Sequence, residues 1–277
     1  MIDRPIFVGG MFRSGTSLLR AMIGQHPNIA SGLETYWFAI DWDRRDDEDV
    51  QEKLQRLANF YEFDTKDVLS MADDSAAIHI FLSKLLSAYT LRLGKKRWAE
   101  KTPGNIQHMD RIVSGWPDAK IVHIIRDPKD IYASLREEKK WDSVEEFTER
   151  WCSIVGAVDG FRNKLDLGPD RYFELRYESL IADPIASTRA LFEFLGESWS
   201  EDLAHFEGKA DDFEKVRSAT GKTSSPLKRL SQPLTATRVG IWRRVLSADE
   251  IDILRNAVSE RGFGSAFRRI EEATPGT

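Results

Sequence analysis

The sequence predicts an α/β protein with a central parallel sheet flanked by helices, and three observations predict it. Strand-like and helix-like segments alternate along 277 residues that are 41% hydrophobic, enough for one sizeable core. Ile6–Gly9 is a short continuous apolar run ending in glycines, the pattern of a buried parallel strand, and KIVHII at 120–125 is the clearest core strand. Between the first of these runs and a helix pattern lies the loop GGMFRSGTS, residues 9–17, a strand–loop–helix junction.

The elements follow in order. Thr16 to Gly24 reads as a helix with Leu18, Leu19, Met22 and Ile23 at helical spacing, ended by His26-Pro27. Residues 41–96 read as a helical insertion or cap within a single domain spanning 1–277, its run DWDRRDDEDVQEK a solvated face. RWAEK at 97–101 is a second short strand, and 105–115 is helical. After KIVHII, Asp127 caps a helix that has Pro128 in its first turn. A long helix covers 142–165, Tyr172–Leu175 is a strand, and a helix runs from Asp183-Pro184 to Leu195-Gly196, where glycine stops it. Residues 217–240, rich in Ser, Thr, Arg and Lys, show no period, and a stretch of that length is more often functional than ornamental. Ser247 caps a last helix.

Composition excludes some classes. A net charge of −5 makes the surface no nucleic-acid magnet, so a basic site must be local. The single cysteine, Cys152, sits in an apolar helical stretch and fits a reducing compartment. The first apolar run is too short for a signal core, and no window approaches the ~18 apolar residues of a membrane span. A soluble cytoplasmic protein is the expectation.

The loop nearly spells Gly-x-x-x-x-Gly-Lys-[Ser/Thr], the phosphate cradle of nucleotide hydrolases. Gly10, Gly15 and Ser17 keep the spacing, but Thr16 stands where the lysine belongs and the nearby cation is Arg13. Main-chain amides converging at a helix N-terminus bind anions, and Arg13-Ser14-Gly15-Thr16-Ser17 supplies glycine for close approach and small hydroxyls. The missing lysine argues against a triphosphate, whose β- and γ-phosphates it would neutralise. A less charged phosphosulfate suits the loop better, with an arginine for its oxygens. A tight turn without a ligand is the plain alternative.

The longer run GGMFRSGTSLLRAMIGQHPNIASGLET resembles the 5′-phosphosulfate loop of sulfotransferases that use 3′-phosphoadenosine 5′-phosphosulfate (PAPS). Within that superfamily it is most similar to the branch containing the protein-tyrosine sulfotransferases. The resemblance implies a P-loop-NTPase-like fold and a nucleotide site. Arg126 to Ser134 (RDPKDIYAS) resembles the family's 3′-phosphate motif, with Arg126 leaving the core strand at the sheet's carboxyl edge. LRYESLIADP places Tyr177 near the nucleotide, with a half-buried core tyrosine as the alternative. Val239–Arg243 resembles a late Gly-x-Trp-[Lys/Arg] element carrying Trp242, with Ser225 and Arg238 as candidates in the basic stretch before it.

The tyrosine-sulfotransferase pattern assigns the general base to Glu34 and a catalytic lysine to Lys101, which would bridge the leaving phosphate and the sulfuryl group. Arg13 would hold the sulfuryl oxygens. None of the five histidines falls at a convincing place for the base. Leu33 replaces one of two adjacent glutamates of that pattern, and Glu138 sits where a basic contact is usual. The single cysteine leaves the family's structural cysteines unmatched, and no counterpart of its membrane anchor is expected, so a peptidyl-tyrosine acceptor does not follow. Tyr36, Trp37, Trp42 and Trp141 are either acceptor-pocket walls or core. The implied partners are the PAPS co-substrate and a hydroxyl-bearing acceptor (small molecule, glycan, lipid or peptide), with no metal required, no nucleic acid, and an oligomer possible.

Two other readings compete. A P-loop kinase or hydrolase needs a metal-holding acid at a strand end, and Asp127 is the available one. A non-catalytic nucleotide-binding module would keep the loop and lack turnover.

Overall fold

Ile6 and Val8 face one side of a sheet and Phe7 the other, and each side is covered by helices. The computed structural model describes residues 4–141, 143–208 and 230–260. Its strands are β1 (Ile6–Gly9), β2 (Ile29–Ser31), β3 (Arg97–Lys101), β4 (Lys120–Ile125) and β5 (Tyr172–Arg176). They lie in the order β2-β3-β1-β4-β5, every neighbouring pair parallel. The register sets Phe7 beside Ile121 and Val8 beside Val122, so like faces stack across the sheet.

On the Ile6 and Val8 side, Ala99, Val122 and Leu175 pack against α1 (Thr16–Gln25) and α9 (Pro184–Leu195) through Leu19, Met22, Ile23, Leu191 and Phe192. On the other side Phe7 meets Trp98 edge-on at 5.5 Å and Trp116 at 4.8 Å between ring centroids. That face is covered by α2 (Glu48–Tyr61), α3 (Thr65–Asp73), α4 (Ile78–Arg92), α5 (Met109–Gly115) and α7 (Val144–Leu165). Residues 41–96 are helical, as their periodicity predicts. They form the connection from β2 to its neighbour β3, and Leu54, Tyr61, Phe81 and Leu85 lie in the same core as Phe7.

The caps fall where the sequence places them. Asp127 accepts from the Lys129 amide at α6 (Pro128–Glu137), Asp183 from Ala186 at α9, and Ser247 from Glu250 at the last described helix, Ala248–Glu260. Gly196, at φ 73°, closes α9. One strand was not expected, and one local expectation is corrected. β2 has no counterpart in the sequence reading, because three residues are too few to show a period. The helix expected from 105 begins at Met109, after a 3-10 turn over Pro103–Gln107. Asn105 is buried there and donates to the Val8 carbonyl at 3.0 Å, which fixes this turn to the end of β1.

The topology decides where a ligand can sit. From β1 the chain leaves toward β2, and from β4 it leaves toward β5, on opposite sides. In open α/β sheets ligands bind in the crevice outside the carboxyl ends at such a divergence. Among the described residues, no helix is long and apolar enough to cross a membrane.

Candidate active site

The loop after β1 is shaped by two glycines. A Cβ on Gly10 would lie 2.4 Å from the Ile124 carbonyl oxygen, so β1 and β4 can approach only without one. Gly15 caps α1 at φ 97°, and a Cβ there would meet the Tyr177 ring at 2.6 Å. Gly15→Ala is therefore expected to cost about 1–3 kcal/mol of stability through backbone strain alone. A denaturation midpoint equal to wild type would contradict this. Ser14, expected from the sequence to hold the cofactor, is buried with its Oγ unpartnered among the described residues, and it lines a smaller pocket with Met11, His123 and Trp151.

The loop lines a cavity of about 630 Å³ whose walls include Arg13, Gly15, Thr16, Ser17, Glu34, Tyr36, Arg126, Ser134, Trp141, Tyr177 and Arg238. Residues from the ends of β1 and β4, the segment after β2, α6, α8 (Tyr177–Ala182) and the 235–238 turn thus converge on one space. At one end Arg126 leaves β4 and donates to the Arg13 carbonyl at 2.9 Å and to the Arg238 carbonyl. Its guanidinium lies 4.5 Å from the Tyr177 ring centroid, and its Nε is buried without a partner. Ser134, two turns into α6, accepts from Arg13 Nε at 3.1 Å and Nη2 at 2.8 Å. Arg13 also donates to Glu138 at 2.6 Å. The Arg13 side chain therefore points along α6, next to Ser134, and Glu138 occupies an anion's place on it.

Other assigned residues fall farther out. The Arg238 side chain pairs with Glu137 at 2.7 Å while the residue lines the cavity. Trp242 is not part of the cavity wall. It stacks near Lys129 at 4.5 Å, and its amide donates to Asp130 at 3.1 Å. Asp130 also accepts from Gly240 at 2.8 Å, so the buried acid on α6 pins the turn by its amides. Ser225 and residues 217–229 lie outside the described residues.

At the other end Lys101, the last residue of β3, donates to Glu34 and, at 3.1 Å, to Ser17 Oγ. Lys101 is buried, and the Glu34 side chain keeps 26% exposure, opening on the cavity. Burial pushes the Glu34 carboxyl up. The charge and hydrogen bond of Lys101, with help from Tyr36 and Arg20, outweigh this and hold it below the ordinary glutamate value. Burial pushes the Lys101 ammonium down, opposed by Glu34. This is a largely desolvated ion pair whose ionised carboxylate faces a cavity.

Glu100, the residue before Lys101, was given no role by the sequence. It is fully buried and accepts from Thr35 N at 3.2 Å, Thr35 Oγ1 at 2.8 Å, Thr102 Oγ1 at 2.7 Å and Asn105 Nδ2 at 2.6 Å. The four aromatic candidates divide. Tyr36, 40% exposed, and Trp141 line the cavity, with Trp141 stacked on Phe12 at 5.6 Å, whereas Trp37 and Trp42 are core. Of the histidines, His123 is buried against the Tyr172 hydroxyl at 2.7 Å and pushed by burial down to about 3, hence neutral. Asp127, the acid a kinase reading requires, is buried and engaged in capping α6.

Comparison with known proteins gives concordant results. Residues 5–201 match the family described as the sulfotransferase family. The protein-tyrosine sulfotransferase of Drosophila melanogaster is 22% identical over 262 residues, covering 89% of this chain and 48% of that protein. The chain thus spans about half the length of that relative. The sulfotransferase domain from the Synechococcus PCC 7002 olefin synthase superposes with a TM-score of 0.66 at 19% identity, covering 92% of this chain and 95% of that one. Mouse sulfotransferase SULT7A1, solved in complex with PAP, gives 0.52 at 16% identity, covering 98% and 89% respectively. These two likenesses establish the shared fold.

Proposed function

The chain belongs to the sulfotransferase family, and from that membership we propose that it moves a sulfuryl group from PAPS to a hydroxyl acceptor by in-line transfer, with Glu34 as general base. The observation that carries the reading is that the buried Lys101, at the end of β3, donates to both Glu34 and Ser17, which line the cavity next to the glycine loop. The donor's contribution is an activated sulfuryl group on a good leaving phosphate.

In this reading the amides of residues 14–17 and the Thr16 and Ser17 hydroxyls hold the 5′-phosphosulfate, and the Ser14 hydroxyl, buried outside the cavity wall, takes no part. Arg126 and Ser134 take the 3′-phosphate, with Tyr177 and Arg238 beside the nucleoside. Arg13 moves from Glu138 to the donor's oxygens. Glu34 accepts the acceptor's proton, and Lys101 neutralises charge on the leaving oxygen. A positioned base is worth roughly 10²–10⁴-fold, and a preorganised cation about 10²–10³-fold more. The acceptor enters past Tyr36, Phe12 and Trp141, an aromatic approach that fits a hydroxyl borne on an apolar or aromatic group.

A screen of phenols, sugar alcohols, hydroxylated lipids and tyrosine peptides with radiolabelled PAPS tests the reading, alongside calorimetric titration with 3′-phosphoadenosine 5′-phosphate (PAP). The expected outcome is PAP binding and label transfer to at least one class, unaffected by EDTA. Absence of PAP binding overturns the nucleotide site. Binding without any transfer favours a non-catalytic module. Glu138→Gln is expected to tighten PAP binding, because it removes a competing carboxylate from Arg13. Weaker binding in that variant would show that Glu138 positions Arg13 instead.

A further inference from the structure

The segment that carries Glu34 runs through Thr35, Tyr36 and Trp37, and the hydrogen bonds that fix it converge on one buried group. Thr35 Oγ1 accepts the Trp37 amide at 3.3 Å, so its own proton goes to Glu100 at 2.8 Å. Thr102 Oγ1 accepts the Tyr36 amide at 3.2 Å, so its proton also goes to Glu100, at 2.7 Å. The Thr35 amide reaches Glu100 directly at 3.2 Å. Asn105 donates to Glu100 at 2.6 Å and accepts from the Trp37 indole at 3.0 Å. All four contacts on Glu100 are donors whose protons have no other use, so the group that fits is an acceptor-only carboxylate.

We propose that Glu100 is the positioning residue of this site: a buried carboxylate that fixes the residues following both Glu34 and Lys101, and so sets the distance between base and cation. This rests on the reading of Glu34 and Lys101 as base and cation. Two chain segments 65 residues apart are held through one side chain. The lysine–glutamate contact depends on backbone that Glu100 anchors on both sides. A carboxylate is needed, because an amide would present its NH₂ to one or more of these donors, and an unmet donor in a buried network is costly.

The arrangement also bears on the charge of Lys101. The titratable groups near it are Glu34 and Tyr36 from the segment after β2 and Arg20 from α1, while Glu100, the preceding residue of β3, points to the other side of the sheet near Tyr61 of α2, where burial pushes its own carboxyl up against its four donors. Burial and Arg20 disfavour its ammonium form, whereas Glu34 and Glu100 favour it. Removing the Glu100 charge therefore lowers the pH at which Lys101 loses its proton.

Glu100→Gln tests this, with Thr102→Val as a milder variant that keeps the charge and removes one donor to Glu100 together with the acceptor of the Tyr36 amide. In Glu100→Gln, kcat is expected to fall about 10- to 100-fold, the range for outer-shell partners of a site. KM for PAPS and the PAP dissociation constant should stay near wild type, and the alkaline limb of kcat should move to lower pH. Thr102→Val should lose about 5-fold in kcat, the worth of one net hydrogen bond, with an unmoved alkaline limb. An NMR titration of Lys101, assigned by its loss in Lys101→Met, reads the same effect without turnover. Its midpoint should fall in Glu100→Gln. Should Glu100→Gln fail to fold, Thr102→Val decides: wild-type kcat there overturns the proposal. An unchanged kcat and an unchanged Lys101 midpoint in folded Glu100→Gln overturn it as well. Failure of wild type to bind PAP or to turn over would instead count against the sulfotransferase reading, and the lysine titration would still decide the role of Glu100.

Discussion

Glu34→Gln is expected to lose about 10²- to 10⁴-fold in kcat while PAP affinity stays unchanged. The substitution keeps shape and an oxygen to accept from Lys101, and it removes only the ability to take a proton. The wild-type carboxyl is held below 4.5, its ordinary value, because Lys101 outweighs burial. The sign follows: turnover needs the ionised form, so it persists as pH falls toward 4.5 and declines only below it. Glu34→Gln should abolish that acid limb along with the rate. A variant with wild-type kcat would remove Glu34 as the base, and a parallel loss of PAP binding would show a structural role instead.

Lys101→Met should lower kcat by about 10²- to 10³-fold, the loss seen when one preorganised charge-stabilising group is removed. Turnover should suffer more than PAP affinity, because in the proposed reading the ammonium meets charge that develops during transfer. Stability should fall too. Breaking a fully buried ion pair costs about 3–5 kcal/mol. Glu34 keeps 26% side-chain exposure, so solvent recovers part of this and a loss of about 1–3 kcal/mol is expected. Without its partner, the Glu34 carboxyl rises under burial, so the acid limb of any residual activity should shift upward. The double variant Glu34→Gln/Lys101→Met should be more stable than Lys101→Met alone, since it leaves no uncompensated charge. Urea denaturation of the three proteins checks this ordering, and equal midpoints would show that the pair contributes nothing to the fold.

Much of the architecture was legible because it is written in short-range pattern. The apolar run before Gly9, the KIVHII strand and the Asp127-Pro128 and Asp183-Pro184 caps each depend on residues within a turn or two. The glycine loop was legible for the same reason: its spacing is a property of consecutive backbone amides. Family resemblance then attached roles to Glu34, Lys101 and Arg126, and the fold brings Glu34 and Arg126 to one cavity with Lys101 buried against Glu34. β2 escaped because three residues carry no period, and its place beside β3 exists only once the sheet forms.

The sequence by itself determined the order of strands and helices and the chemistry available at their ends. Only the tertiary structure decided which of those groups meet. It turned Arg13 onto Ser134 and Glu138, more than 120 residues away, and moved Trp242 onto α6. It also made Glu100, an unremarked residue within RWAEK, the hub of the segment that carries Glu34. The physical reason is that local backbone preference sets elements. Sheet register, fixed by packing on both faces at once, sets which distant side chains share a buried volume and must satisfy one another there.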